Sequence, residues 1–423
     1  MSDTRNCDIV NFEKTLPDTI IKIAYKSIAV WSIVRIQILN QLTAKVQSKD
    51  AVSNTSSEFT RLAKKLSRVF KGALGVFTST MAVIKNRDIE VIIRVNSFSI
   101  LGEREGRVLF TNGNLQEIYD HLLTTKVKCL VIVNDQWRYK LQQKLTAAIV
   151  YPLRLQFLVG VAVSIVNRCA VDQVVSGLCK TLSLERQYLR KLIAGELAAL
   201  FIWEIVYKYI NPKIVYYECP HNCFESEVVA AKLNNIRTVE IFHGGITPNE
   251  PSYFQVHLNF DGLVHSVCDE FLSPSEDQTQ FLINMNNKYK KVTTINYKPA
   301  LSLSVDHERS LLKDQNRRAN GKGRILFITS ITDNDVGDIG NYIRRNHRHI
   351  LQNFSQVSLR LHPEDSKERW NSLLDTYPCI EISNLTLSED IESADALVVV
   401  SPTVILQLKA LNIEFVDLSR SAI

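Results

Sequence analysis

Residues 388–418 read SEDIESADALVVVSPTVILQLKALNIEFVDL. At its centre, residues 396–400 (ALVVV) form an unbroken apolar run rich in valine. A short continuous run of this kind is how a strand buried on both faces looks. It stops at Ser401-Pro402-Thr403, a small polar residue followed by proline, which is a helix-start signal. Residues 403–411 continue with helical spacing, and residues 415–417 (FVD) read as another strand. Working upstream, the alternation repeats. Strands are expected at 324–329 (RILFIT), 357–361 (VSLRL) and 380–382, with helices at 338–354, 367–375 and 387–393. Strict β/α alternation with buried apolar strands predicts a doubly wound parallel sheet.

The texture further upstream is similar but less regular. Residues 303–323 are polar and charged and read as a linker. Before them, strands are expected at 89–93, 107–110, 127–133, 214–217, 238–242 and 263–267. Helices are expected at 115–123, 226–233 and 275–283, the last opened by Ser275 with Gln278 three residues on, as in a capping box. Residues 139–210 read as mostly helical. Residues 15–75 read as helical too, with apolar residues at near-helical spacing and basic residues between them. The expected organisation is a helical N-terminal segment (1–85), a first Rossmann-like domain (86–300) and a second one (301–423).

Composition bounds the function. The 423 residues carry 50 Lys+Arg and 44 Asp+Glu, a net charge of +6. The first 200 residues hold 28 basic and 16 acidic side chains, a net of +12, and the remainder is net −6. Two lobes of opposite charge follow. An apolar fraction of 45% excludes a disordered chain, a collagen-like repeat and a histone-like polycation. The N-terminus lacks an apolar signal core. Eight irregularly spaced cysteines do not describe a disulfide framework. Cys219 and Cys223 flank His221, but a zinc site needs further ligands at suitable spacing, so no metal is expected. The most apolar stretch, residues 147–166, contains Pro152, Arg154 and Gln156, and reads as buried helix rather than a membrane span. The basic residues at 61–71 and 344–348 lack a nucleic-acid-binding pattern, and Arg344, Arg345, His347 and Arg348 read as a solvated helix face. A cytoplasmic protein is expected, its basic half able to rest on the anionic inner face of a membrane.

In open α/β sheets ligands sit beyond the carboxyl ends of the strands. Five predicted strands end in polar chemistry: Glu218; His243-Gly244-Gly245; Ser330, Thr332 and Asp333; His362-Pro363 with Arg360 behind it; and Ser401-Pro402-Thr403. The last opens a helix, whose free N–H groups and partial positive charge suit a phosphate. Ser401 and Thr403 add hydroxyl donors, and His362 and Arg360 could serve the same phosphate. The ordinary alternative is an N-cap with no ligand. Gly244 permits close backbone approach, and His243 is a side chain that moves protons near neutral pH; a plain glycine turn is the alternative. Glu218 could activate an acceptor hydroxyl while the donors on the other lobe neutralise a leaving phosphate, or it could be an ordinary surface carboxylate.

These residues carry a resemblance. VEIFHGG, SLRLHP and the segment 388–418 resemble the bacterial GT-B glycosyltransferases of capsule and lipopolysaccharide synthesis, in particular sialyltransferases, polysialyltransferases and Kdo transferases that use CMP-activated sugars. Teichoic-acid polymerases are more distant relatives of that group. The resemblance covers residues 212–418 and implies two Rossmann-like lobes facing a central cleft. It implies a nucleotide sugar, CMP-linked, as donor substrate, with no metal or other cofactor, and a glycan or lipid-linked glycan as acceptor. By it, His362 would contact the phosphate or leaving nucleotide, and Ser401 and Thr403 the donor phosphate; Ser330, Thr332, Arg360 and Gly244 are further candidate substrate-binding residues. Glu218, His243 and His362 would serve catalysis. Gln407 stands where many such enzymes have a glutamate on the donor ribose, and Asn412-Ile413-Glu414 stands where a glycine is usual. Two other readings fit the same residues: transfer of a polyol phosphate from a CDP-polyol, and a nucleotide- or glycan-binding module without catalysis.

Overall fold

The structure, a computed structural model, describes residues 24–25, 27–47, 88–96, 99–134, 148–151, 168–182, 184–221, 224–242, 260, 262–284, 289–295, 323–330, 335–362 and 365–418. In chain order its elements are β1 (Ala24–Tyr25), β2 (Ile28–Ala29), α1 (Val30–Gln47), β3 (Val91–Asn96), β4 (Ile100–Arg104), β5 (Arg107–Phe110), α2 (Gly113–Thr124), β6 (Cys129–Asn134), β7 (Ala148–Tyr151), α3 (Arg168–Leu182), α4 (Arg186–Ile210), β8 (Ile214–Glu218), α5 (Glu225–Leu233), β9 (Arg237–Ile241), β10 (Glu270–Ser273), α6 (Glu276–Asn284) and β11 (Lys291–Thr294). The second lobe adds β12 (Gly323–Ile328), α7 (Asp335–Asn353), β13 (Phe354–Arg360), a 3₁₀ turn (Lys367–Trp370), α8 (Asn371–Thr376), β14 (Ile380–Ile382), α9 (Leu387–Ser393), β15 (Ala396–Val399), α10 (Pro402–Ala410) and β16 (Val416–Asp417).

Each lobe is built on one all-parallel sheet. The second has the order β14-β13-β12-β15-β16. Numbered along the chain this is 3-2-1-4-5, the doubly wound order, whose switch point lies between the first and fourth strands. The first sheet has the order β7-β6-β3-β8-β9-β10-β11, which is 3-2-1-4-5-6-7 and has its switch point between β3 and β8. The protein is therefore α/β with two Rossmann-like lobes, the make-up of a GT-B chain. Both faces of each sheet are covered. In the second lobe Ile325, Phe327, Leu359 and Val398 pack against α7 and α8 residues such as Ile339, Ile343 and Leu373. Leu326, Ile328, Leu397 and Val399 pack against Ile391, Ile405 and Leu408 of α9 and α10. This two-faced burial is why these strands read as continuous apolar runs.

The first lobe departs from the expected elements in several places. Residues 148–151 form a strand, not a helix: β7 pairs parallel with β6. Ile149, Val150 and Tyr151 are strand formers, and Pro152 follows them directly. Residues 24–25 and 28–29 form the short β1–β2 pair, and the helix starts only at Val30, with Ile28 bridging to Val264 instead of continuing a helical turn. At 263–267 this bridge stands in place of the expected strand. Strands β4, β10 and β11 were not expected. Glu105 and Gly106, with φ of 53° and 75°, form the two-residue turn of the β4–β5 hairpin. Of the expected linker at 303–323, residues 303–322 lie outside the described residues, and Gly323 already begins β12.

Helix α1 is part of the first lobe's core. Trp31, Val34 and Ile38 are fully buried. Ser32 Oγ accepts from Ser266 N at 3.2 Å, and Ser266 Oγ donates to Ser32 O at 2.8 Å. Among the described residues no helix is long and apolar enough to cross a membrane.

Candidate functional site

In the second lobe the strand ends are stitched together around the switch point. Thr329 N donates to Arg360 O at 3.0 Å, and Val400 N donates to Ile328 O at 3.0 Å. Thr329 Oγ1 accepts from His362 N at 2.9 Å. The predicted histidine and hydroxyl ends are not on adjacent strands: β12 lies between β13 and β15. Thr329 and Ser330 thus sit in the middle, with His362 to one side and Ser401 to the other, about two strand spacings or ~10 Å apart.

Ser401 is the N-cap of α10, with extended backbone (φ −75°, ψ 113°), and its side chain makes no capping bond. It is 6% exposed. Thr403 is half-buried in the first turn. The start of α10 therefore keeps free N–H groups at the switch point of a doubly wound sheet, which is an anion site by geometry and by dipole. Gln407 lies one turn beyond Thr403 on the same side of the helix. Its Oε1 is buried and has no hydrogen-bond partner, and a buried acceptor left unmade is costly.

Two predicted substrate-binding residues are engaged within the lobe. Ser330 is tied to Asp335 at the start of α7: its N and Oγ donate to Asp335 Oδ2 at 2.7 and 2.9 Å. Arg360 donates to Asp390 Oδ2 at 2.8 Å and to the Leu385 carbonyl. Asp390, fully buried, also accepts from Arg324 Nη2 and Ser383 Oγ, both at 2.6 Å. The acidic helix of the sequence thus supplies an internal counter-ion shared by two arginines. Thr332, His243 and Gly244 lie outside the described residues.

In the first lobe Glu218 ends β8, on the switch-point side of the sheet, and is 1% exposed. Two buried polar pairs lie near the end of β8 on the opposite face of the sheet, where Arg94 and Glu240 both stand in register with Tyr217. On the side of α4 and α5, Arg94 of β3 makes a bidentate pair with Glu227, both bonds at 2.6 Å, and donates to Ile132 O at 3.0 Å. Its guanidinium lies 4.5 Å from the Phe224 ring and 4.9 Å from that of Trp203. Burial pushes the Glu227 carboxyl up, and Arg94 opposes that rise. Nearby, Glu196 accepts from Ser226 Oγ at 2.6 Å. On the same face, His221 Nε2 lies 3.0 Å from Glu240 Oε1, and Tyr289 donates to Glu240 Oε2 at 2.8 Å.

Asn112 caps α2 through its Oδ1, and its Nδ2 donates to Phe242 O at 2.9 Å, directly before His243. Asn112, His221, Thr329 and Asp390 were not singled out for these contacts from sequence. Only Asn112 carried a local signal, an Asx residue ahead of a helical run.

No family model matches the chain, and no curated protein matches it. Solved structures similar to it include the S. aureus MnaA-UDP co-structure, at 13% identity over 79% of this chain and 80% of that one, with a TM-score of 0.46. The Methanocaldococcus jannaschii UDP-GlcNAc 2-epimerase in complex with UDP-GlcNAc and UDP is similar at 12% identity, over 78% and 84% of the two chains, with a TM-score of 0.45. The wall teichoic acid polymerase TagF soaked with CDPG is similar at 13% identity, over 83% and 76%, with a TM-score of 0.38.

Proposed function

We propose that the protein is a metal-independent glycosyltransferase that moves a sugar from a nucleotide donor to a growing bacterial surface polysaccharide. A CMP-linked ulosonic acid such as sialic acid or Kdo is the favoured donor. The observation that carries the reading is the start of α10: a buried N-cap serine whose side chain leaves the helix end uncapped, at the switch point of a doubly wound sheet. The donor phosphate would lie against those N–H groups and the Ser401 and Thr403 hydroxyls. Gln407 Oε1 would accept from a ribose hydroxyl, so a glutamine there is compatible with a bound nucleoside. His362, tied through its own N–H to Thr329, would face the leaving phosphate. Glu218 ends the strand beside the other lobe's switch point. It would take the proton of the acceptor hydroxyl as that oxygen bonds to the anomeric carbon and the phosphate leaves with its electron pair, or it would attack that carbon itself. The basic first half of the chain would meet an anionic glycan or membrane face.

The test is calorimetric titration of the full chain with CMP, CDP, UDP and GDP. Binding of CMP or CDP, weakened about tenfold by Thr403→Val or Gln407→Leu, is expected. Equal affinity in wild type and both variants would remove the site from α10.

A further inference from the structure

Glu218 is followed by a backbone conformation that few residues adopt willingly. Cys219 has φ of 50°, in the left-handed region where a Cβ crowds the chain. Such a conformation persists only where its surroundings over-determine it. Here the surroundings are specific. Phe224 N donates to Pro220 O at 2.9 Å, closing the turn into α5. His221, two residues past Cys219, is 2% exposed and sits 3.0 Å from Glu240 Oε1. Glu240 is itself fully buried, and Tyr289 holds its second oxygen.

The register says what this tie does. In the parallel β8–β9 pair, Tyr217 is opposite Glu240 and Glu218 is opposite Ile241. Paired residues share a face and successive residues alternate, so Glu240 lies on one face of the sheet and Glu218 on the other. The chain leaving Glu218 must therefore cross the strand end to reach Glu240. Cys219 makes that crossing, and His221 anchors it on the far side.

We propose that His221, packed 3.0 Å from the buried Glu240, is a positioning residue for Glu218: it keeps the strained Cys219 turn closed and so fixes where the carboxylate points. The proposal rests on the reading of Glu218 as the reacting carboxylate. A histidine that only filled the core would leave the turn and the carboxylate indifferent to the backbone freedom of residue 219. A positioning residue ties the three together.

The experiment compares wild type, His221→Phe, Tyr289→Phe, Cys219→Gly and the double variant His221→Phe/Cys219→Gly, all in the full chain. Two readouts are taken. One is the rate of iodoacetamide alkylation of the half-buried Cys219 by peptide mass mapping, with exposed Cys379 as internal reference. The other is CMP release from CMP-sialic acid, resolved into kcat and KM. In His221→Phe, alkylation of Cys219 should rise at least tenfold relative to Cys379. Its kcat should fall at least tenfold with KM unchanged within twofold. Adding Cys219→Gly should restore at least half of kcat, because glycine takes a φ of 50° without a Cβ clash. Tyr289→Phe should move both readouts about threefold in the same directions, and stands in if His221→Phe does not fold. Unchanged alkylation in a folded variant overturns the proposal. So does a kcat loss that follows the folded fraction and is not rescued by glycine. Normal turnover in Glu218→Gln, or no CMP release by wild type, would instead remove the catalytic reading. In either case the alkylation rate alone decides whether His221 holds the turn.

Discussion

Asn112 ties the start of α2 to Phe242, the residue before His243: one amide side chain caps the helix with its oxygen and donates to the Phe242 carbonyl with its nitrogen. The two functions separate by substitution. Asn112→Asp keeps the capping acceptor, which also suits the helix dipole. It loses the donor and turns a carboxylate toward a carbonyl oxygen. The expected cost is about 1–3 kcal/mol in chemical denaturation. Wild-type stability in Asn112→Asp would mean the tie to Phe242 contributes nothing.

Arg94 and Glu227 form a pair with almost no exposure, 1% and 6% of their side chains. Removing one partner leaves a buried charge uncompensated. Glu227→Gln should therefore destabilise the first lobe by about 3–5 kcal/mol, whereas replacing both residues with apolar side chains of similar volume should recover most of that loss. Equilibrium urea unfolding of the single and double variants checks the order.

How much of this was legible in the sequence follows from the range of the contacts involved. The second lobe reads cleanly, because strands such as ILFI at 325–328 are buried on both faces and each is followed at once by a helix signal. The first lobe is harder. Residues 148–151 sit in a longer apolar stretch that also fits a helix, and β11 (KVTT) is too short and polar to announce itself. The site divides the same way. Ser401 and Thr403 stand at a local strand-to-helix junction and can be read from their neighbours. The partners of His221, Arg94 and Asp390 lie on other elements, up to 133 residues away for Arg94 and Glu227, and no local pattern records them. Arg360 illustrates the limit: its place beside a strand end is visible in sequence, but its engagement by Asp390 is not.

Glu196 gives the first lobe a pH dependence of definite sign. Burial pushes its carboxyl from 4.5 up to about 8, with Glu225 and Glu227 adding to the rise and Ser226 opposing it. Between those values the folded chain holds a proton that the unfolded chain has lost. The contribution to stability is thus fully present below about pH 4.5 and is lost as pH rises through about 8. Denaturation midpoints across pH 5–9 should fall for wild type, and the fall should be shallower in Glu196→Gln, which carries a neutral amide throughout. Parallel curves for the two proteins would contradict the assignment.

In the proposed reaction Glu218 is the group that would drive transfer from a nucleotide donor. The most direct measurement is the rate of CMP release from CMP-sialic acid and CMP-Kdo, with a glycan acceptor present, for wild type and Glu218→Gln, alongside CMP binding by calorimetry. The account predicts a loss of at least a thousandfold in turnover for Glu218→Gln with CMP affinity unchanged within twofold. Turnover near wild type in a folded Glu218→Gln would contradict it.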